Sequence, residues 1–180
     1  MSSCLWRSRR SMGAVLTLVS AMASVFVAWG GSAVYAQATG PTTVPKQIIT
    51  LDGANVIVSA AVARAKSMGV LEVVAVYDGT GILKALASVD GARVTSVNFA
   101  LDKAWTAARR EVATQDLADA IGMFPEPALL SYVKQPQVSL IGGGVPIVVN
   151  GQVVGGIGAS GGSIAQDIEI ANAGLDAIQH

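Results

Sequence analysis

Two glycine-containing turns, each joining neighbouring apolar runs, commit this chain to antiparallel strand pairing. Asn150-Gly151 separates the apolar runs 146–149 and 153–159, and Asn-Gly in that setting signals a hairpin because both turn positions need a positive φ. Asp78-Gly79-Thr80-Gly81 joins run 71–77 to run 82–89 in the same way. The near-continuous apolarity of this first pair predicts a sheet covered on both faces.

Helical periodicity fills the spaces between these runs. Thr50 can cap a helix whose Leu51, Ala54, Val58, Ala61, Val62 and Ala65 recur at three- and four-residue steps, with Gly69 where it stops. The Ala-rich segment 94–110 places Val94, Val97, Leu101, Ala104 and Ala108 on one stripe, with Asp102, Lys103 and Arg110 projecting elsewhere. A short helix is expected over 114–121. The stretch 122–136 carries three prolines and reads as an irregular excursion, followed by a strand at 138–141. Residues 164–178 form a closing helix with Ile168, Ala171 and Leu175 on one face, capped by Ser160 or Ser163. The order is therefore helix, two strands, helix, excursion, three strands, helix. An α+β fold with helices on an antiparallel sheet of about five strands follows, because the repeated crossover of a doubly wound fold is missing.

The N-terminus follows a different logic. Arg7, Arg9 and Arg10 precede an apolar run from 12 to 29, and Val34-Tyr35-Ala36 supplies small residues at the third and first positions before a cut. Residues 1–36 are read as an export signal cleaved after Ala36, giving a secreted or periplasmic protein; contact with a membrane is expected only if the segment stays uncleaved. Ser8-Arg9-Arg10-Ser11-Met12 also resembles part of a twin-arginine signal. Residues 37–47 read as a tether and 48–180 as the domain.

Charge and the rare residues exclude several chemistries. The chain has 12 basic and 12 acidic residues; without the three N-terminal arginines it has nine against 12, a net −3, so no basic nucleic-acid footprint is expected. The one cysteine, Cys4, leaves with the signal, and the one histidine, His180, ends the chain. Thiol catalysis, a cysteine-ligated metal and a catalytic imidazole held in a core are thus out of reach.

Several glycine motifs match known patterns only on paper. Gly156-Ile157-Gly158-Ala159-Ser160-Gly161 satisfies a dinucleotide fingerprint, but the chain ends 19 residues later, before the required crossover and acidic residue. Gly158-Ala159-Ser160-Gly161-Gly162 fits a nucleophile elbow, yet Asp167, Asp176 and His180 all lie on or beyond one short helix. Close backbone packing explains these glycines better. Free amides at Gly161 and Gly162 could hold an anion at the last helix. Gly142-Gly143-Gly144 is either a bulged turn or a place where a ligand meets backbone.

The segments Asp90-Gly91-Ala92, Asp102-Lys103-Ala104 with Thr106-Ala107-Ala108, Gly142 through Ile147, Gly151 through Gly162 and Gln166 through Ala171, taken in order, resemble the haem-degrading HbpS-like or GlcG family. A related domain is joined to corrinoid adenosyltransferases. The likeness covers about residues 48–179. It implies profilin-like α/β/α layers, a homo-oligomer, and haem as cofactor with slow oxidative haem breakdown. It also implies that Lys103, Thr106 and Arg109 face the ligand's acidic groups. Because an internal histidine is missing, the chain uses another iron donor, binds haem without a strong protein ligand, or does not bind it; the candidate donors are Tyr77, Tyr132, Met68, Met123, Lys103 and Thr114, of which Tyr77 and Met68 read as core, whereas Met123 and Tyr132 lie in the excursion, where function concentrates. The expected binding set is Lys103, Thr106, Arg109, Met123, Tyr132, Gly143, Gly144, Gly161 and Gly162. The alternatives are a binding protein or enzyme for a small carboxylate cradled by the two glycine loops, or a non-catalytic oligomeric interaction module.

Overall fold

In the computed structural model, residues 41 and 43–179 are described, and every element belongs to the unit beginning at Pro45. The segment 1–36, expected to be an export signal, lies outside the described residues. Helix α1 (Leu51–Ser67) leads into strands β1 (Val73–Asp78) and β2 (Leu83–Ser88), then helices α2 (Val94–Arg110), α3 (Thr114–Gly122) and α4 (Glu126–Val133), strands β3 (Gly144–Val149) and β4 (Gln152–Ser160), and helix α5 (Ile164–Asp176). Among the described residues, no helix is long and apolar enough to cross a membrane.

All strand pairs are antiparallel, in the order β2-β1-β4-β3. Both turns form where the glycines require them: Asn150 and Gly151 take positive φ, 50° and 75°. Asp78 organises the first turn, its Oδ1 accepting from the Thr80 N–H, the Thr80 hydroxyl and the Ile82 N–H. Burial alone would raise this carboxyl, but those bonds and Lys84 outweigh it and hold it at about 2.

Period-two alternation divides the sheet between two cores. Val74, Val76, Val154, Ile157 and Ala159 pack against α1 through Ala54, Ile57, Val58, Ala61 and Ala65, and against α5 through Ile170, Ala171 and Leu175. Val73, Ala75 and Tyr77 point the other way, to Ala100, Ala104 and Ala108 of α2. The result is the α/β/α layering, with β1 buried at all six positions. β2, at the sheet edge, is only partly covered.

Two expectations need correction. The sheet has four strands, not five, because segment 138–141 spends its backbone on side chains: Ser139 N–H donates to Thr106 Oγ1 and Ile141 N–H to Ser139 Oγ. The excursion is also not irregular throughout. Pro125 and Pro127 occupy the start of α4, where a missing N–H costs nothing, so they begin a helix rather than break one.

The glycines of β4 set the spacing between α2 and the sheet. Gly156 and Gly158 stand opposite Tyr77 and Ala75; a Cβ on Gly158 would fall 2.2 Å from Ala100 O and 2.4 Å from Ala104 N, and one on Gly156 2.4 Å from Ala108 N. Alanines on the helix and glycines on the strand thus bring two backbones into contact. Gly158→Ala is expected to cost about 3 kcal/mol or prevent folding, since main chain cannot step aside. Gly122→Ala, at a position with nothing within 4 Å, should be nearly neutral; paired chemical denaturation of the two variants checks the contrast.

Candidate functional site

The chemistry of the interior gathers where α2, β1, β4 and α5 meet. Lys103 lies on the alanine stripe of α2 and is 1% exposed. Its Nζ donates to Ala159 O at 2.9 Å and to Asp167 Oδ2 at 2.7 Å. Asp167, on the first turn of α5, uses its other oxygen to accept the Gly162 N–H at 2.9 Å. Glu72, just before β1, is fully buried and receives no hydrogen bond on either carboxylate oxygen.

An ionised carboxylate without a donor in an apolar interior is costly. Burial pushes Glu72 up to about 8, and the Asp167 charge adds to it; Lys103 opposes this, and a proton shared with Asp167 favours it. Near neutral pH the Glu72 carboxyl therefore favours its protonated form beside the Lys103–Asp167 pair.

The glycine loops close this cluster instead of opening it. Gly143, at φ 114°, has room for a Cβ only 2.8 Å from Ala159 O and 3.0 Å from Lys103 Nζ, and a Cβ on Gly144 would meet Lys103 O at 2.5 Å. The Gly144 N–H donates to Thr114 Oγ1 at 2.9 Å. At α5, Ser163 forms a capping box with Gln166, so the amides of Gly162 and Ser163 are committed to Asp167 and Gln166. The protein's own carboxylate occupies the anion position at this helix start.

The expected binding set divides accordingly. Lys103 and Thr106 do not face a ligand: both are buried, and the Thr106 hydroxyl donates to Gln137 O and accepts from Ser139 N–H. Gly143, Gly144 and Gly162 serve packing and internal hydrogen bonds, and Gly161 lies against Leu71 O and Glu72. Arg109 is exposed, with Nη1 donating to Gly79 O at 3.0 Å. Met123 is 81% exposed, and Tyr132 is half-buried beneath Arg110, whose Cζ stands 5.4 Å from its ring centroid. Of the other donor candidates, Thr114 and Tyr77 are buried.

Glu72 and Asp167 are absent from the sequence-derived set. Glu72 carried a signal, an acid inside an otherwise apolar strand run; Asp167 carried none beyond its place in a first helical turn. Lys103 carried one in its spacing, for positions 100, 103, 104 and 107 share one helical face. Among the described residues, no group of three or more His, Cys, Asp or Glu is placed to hold a metal ion.

With this geometry in view, the relationships of the chain become specific. Residues 49–176 match the family described as haem degrading protein HbpS-like, and the chain belongs to that family. It is 34% identical over 128 residues, 71% of this chain and 90% of the relative, to an uncharacterized 15.0 kDa protein of Citrobacter freundii. The crystal structure of a Streptomyces reticuli HbpS double mutant superposes with a TM-score of 0.70 at 31% identity, over 80% of this chain and 96% of that one. A PduOC complex with haem superposes at 0.66 with 32% identity, over 73% and 96%.

The buried carboxyl gives stability a definite pH slope. Glu72 sits at about 8 in the fold against 4.5 ordinarily, so its contribution is fully present below 4.5 and is lost as pH rises through 8. Within that window the slope approaches 1.4 kcal/mol per pH unit. Glu72→Gln should flatten the slope and be the more stable protein at pH 8. Lys103→Met, which strands Asp167 without its cation, should cost about 3 to 5 kcal/mol. Urea denaturation across pH 5 to 9 measures both.

Proposed function

We propose that this chain is an exported haem-binding protein that degrades the ring slowly, and that the α3–α4 excursion is its binding surface. Family membership carries the reading, and the haem complex of the PduOC relative supports it. The residues of the excursion fit the group. Helix α4 buries none of its own residues. Met123, Phe124, Leu130 and Val133 stand exposed, with Arg110 and Lys134 also exposed at or near that helix. An apolar surface bordered by cations matches a flat apolar ring carrying acidic propionates.

Bound haem would supply redox iron; the chain supplies the surface, the counter-charges and a donor atom. Met123 and Tyr132 are the donors in that surface, a thioether and a phenol, and both are known kinds of axial ligand. Arg110 at the end of α2 and Lys134 just after α4 are the cations for the propionates; Arg109 turns to the β1–β2 turn, where its Nη1 donates to Gly79 O. Export rests on the arginines and apolar run ahead of Ala36.

Haem titration of the protein lacking residues 1–36 should produce a saturable Soret shift at micromolar ligand; no shift defeats the reading. Tyr132→Phe and Met123→Ala should each be folded, and the variant lacking the donor should change the spectrum and weaken affinity about tenfold.

Self-association is part of the same reading. Leu83 and Leu86 of β2 stand exposed opposite Tyr77 and Ala75, beside the partly buried Val97, Leu101 and Trp105 of α2, leaving an apolar strip that α2 does not cover. Leu86→Asp should shift the mass measured by light scattering from oligomer to monomer; an unchanged mass assigns the contact elsewhere.

A further inference from the structure

Glu72 has no role in the surface just described, yet it is the described chain's most exceptional buried side chain. Both of its carboxylate oxygens lack a donor. Asp167 lies beside it with both oxygens already engaged, one by the Lys103 ammonium and one by the Gly162 N–H. The charged groups acting on Glu72 are Asp167 from α5 and Lys103 from α2; Arg93 stands outside, its Nη2 donating to Gly161 O at 3.3 Å.

A thin piece of main chain covers this cluster. Gly161 and Gly162 link β4 to α5, the first half-buried and the second exposed. A Cβ on Gly161 would fall 2.4 Å from Leu71 O and 3.0 Å from Glu72 Oε2, so the strip rests directly on the acid. On its outer side is a hollow of about 300 Å³ lined by Leu71, Gly91, Arg93, Gly161, Gly162 and Gln166, among others. The acid pair and the solvent hollow are thus separated by two residues without side chains.

We propose that Glu72 and Asp167 form a proton latch for the β4–α5 junction: one proton shared between the carboxyls keeps the Gly161–Gly162 strip closed, and its loss opens the strip into the hollow. With the proton present, Glu72 donates to Asp167 and the cluster is neutral. When a solvent base removes it, two carboxylates face one ammonium and Glu72 has no donor, a state the interior disfavours. Moving the strip outward admits water to Glu72 and releases the Gly162 N–H from Asp167. Arg93 at the rim, held by one long hydrogen bond, then meets the exposed carboxylate. The Lys103–Asp167 pair stays intact, so α2 and the sheet keep their register while the start of α5 opens.

Amide hydrogen exchange on the full chain at pH 6 and pH 9, corrected for the chemical exchange rate, tests the latch. Protection of the amides from Gly161 to Asp167 should fall at least about tenfold at pH 9, with β1 amides unchanged; Glu72→Gln should keep those amides protected at both pH values. Equal protection in the wild-type chain overturns the proposal, as does a fall shared equally by β1 or a fall retained in Glu72→Gln. Should that variant not fold, the carbon chemical shift of the wild-type Glu72 carboxyl decides: a midpoint well above the usual carboxylate range is expected, and an ordinary one overturns the latch.

Discussion

The close approach of α2 to β4 is the constraint on which the rest depends. Glycine at 156 and 158 removes the side-chain layer that normally separates a helix from a sheet, and alanines at 100, 104 and 108 meet those gaps with backbone atoms at contact distance. A helix seated this deeply carries its whole inner face below the surface, and Lys103 belongs to that face. The lysine is buried because of where the helix must sit. Its ammonium then requires an anion and a carbonyl, which Asp167 and Ala159 provide, and burial beside them pushes the carboxyl of Glu72 up to about 8.

A cluster of this kind contributes registry more than net stabilisation. Desolvating three ionisable groups offsets most of the Coulombic gain, while the geometry it fixes is narrow. Lys103 can reach Ala159 O and Asp167 together only when one particular turn of α2 faces Gly143 and Gly144. The lysine therefore ties the helix on one face, the last residues of β4 and the helix on the opposite face into a single arrangement. Apolar packing between alanines and glycines is smooth and would tolerate sliding; the buried charge does not.

This division between smooth packing and specific bonds also explains what the sequence could reveal. Local chemistry was legible where a residue acts on its neighbours: Thr50 accepting from Gly53 N–H, Asn150-Gly151 turning the second hairpin, Ser163 boxing with Gln166. The proposed fifth strand failed because Ser139 N–H is taken by Thr106, 33 positions away, a partner no window around residue 139 contains. Helix α4 escapes any reading that treats prolines as breakers without regard to their place in a first turn. The family resemblance turns Lys103 toward a ligand's acidic groups, whereas its spacing with Ala100, Ala104 and Ala107 sets it on the buried stripe, where the structure has it.

The same accounting of polar atoms separates the body of the domain from the α3–α4 excursion. Inside, Lys103, Thr106, Thr114, Asp167 and the amides of Gly144 and Gly162 already bond one another or the main chain, so a ligand entering there would have to break the fold to be held. The excursion is different: α4 buries nothing of its own, and an Arg110 guanidinium over Tyr132 is one of its few ties to α2. Side chains on such a segment can be exchanged at little cost to the core. Under the proposed reading, an iron donor placed there is free to be a thioether or a phenol, because neither side chain is needed by the core.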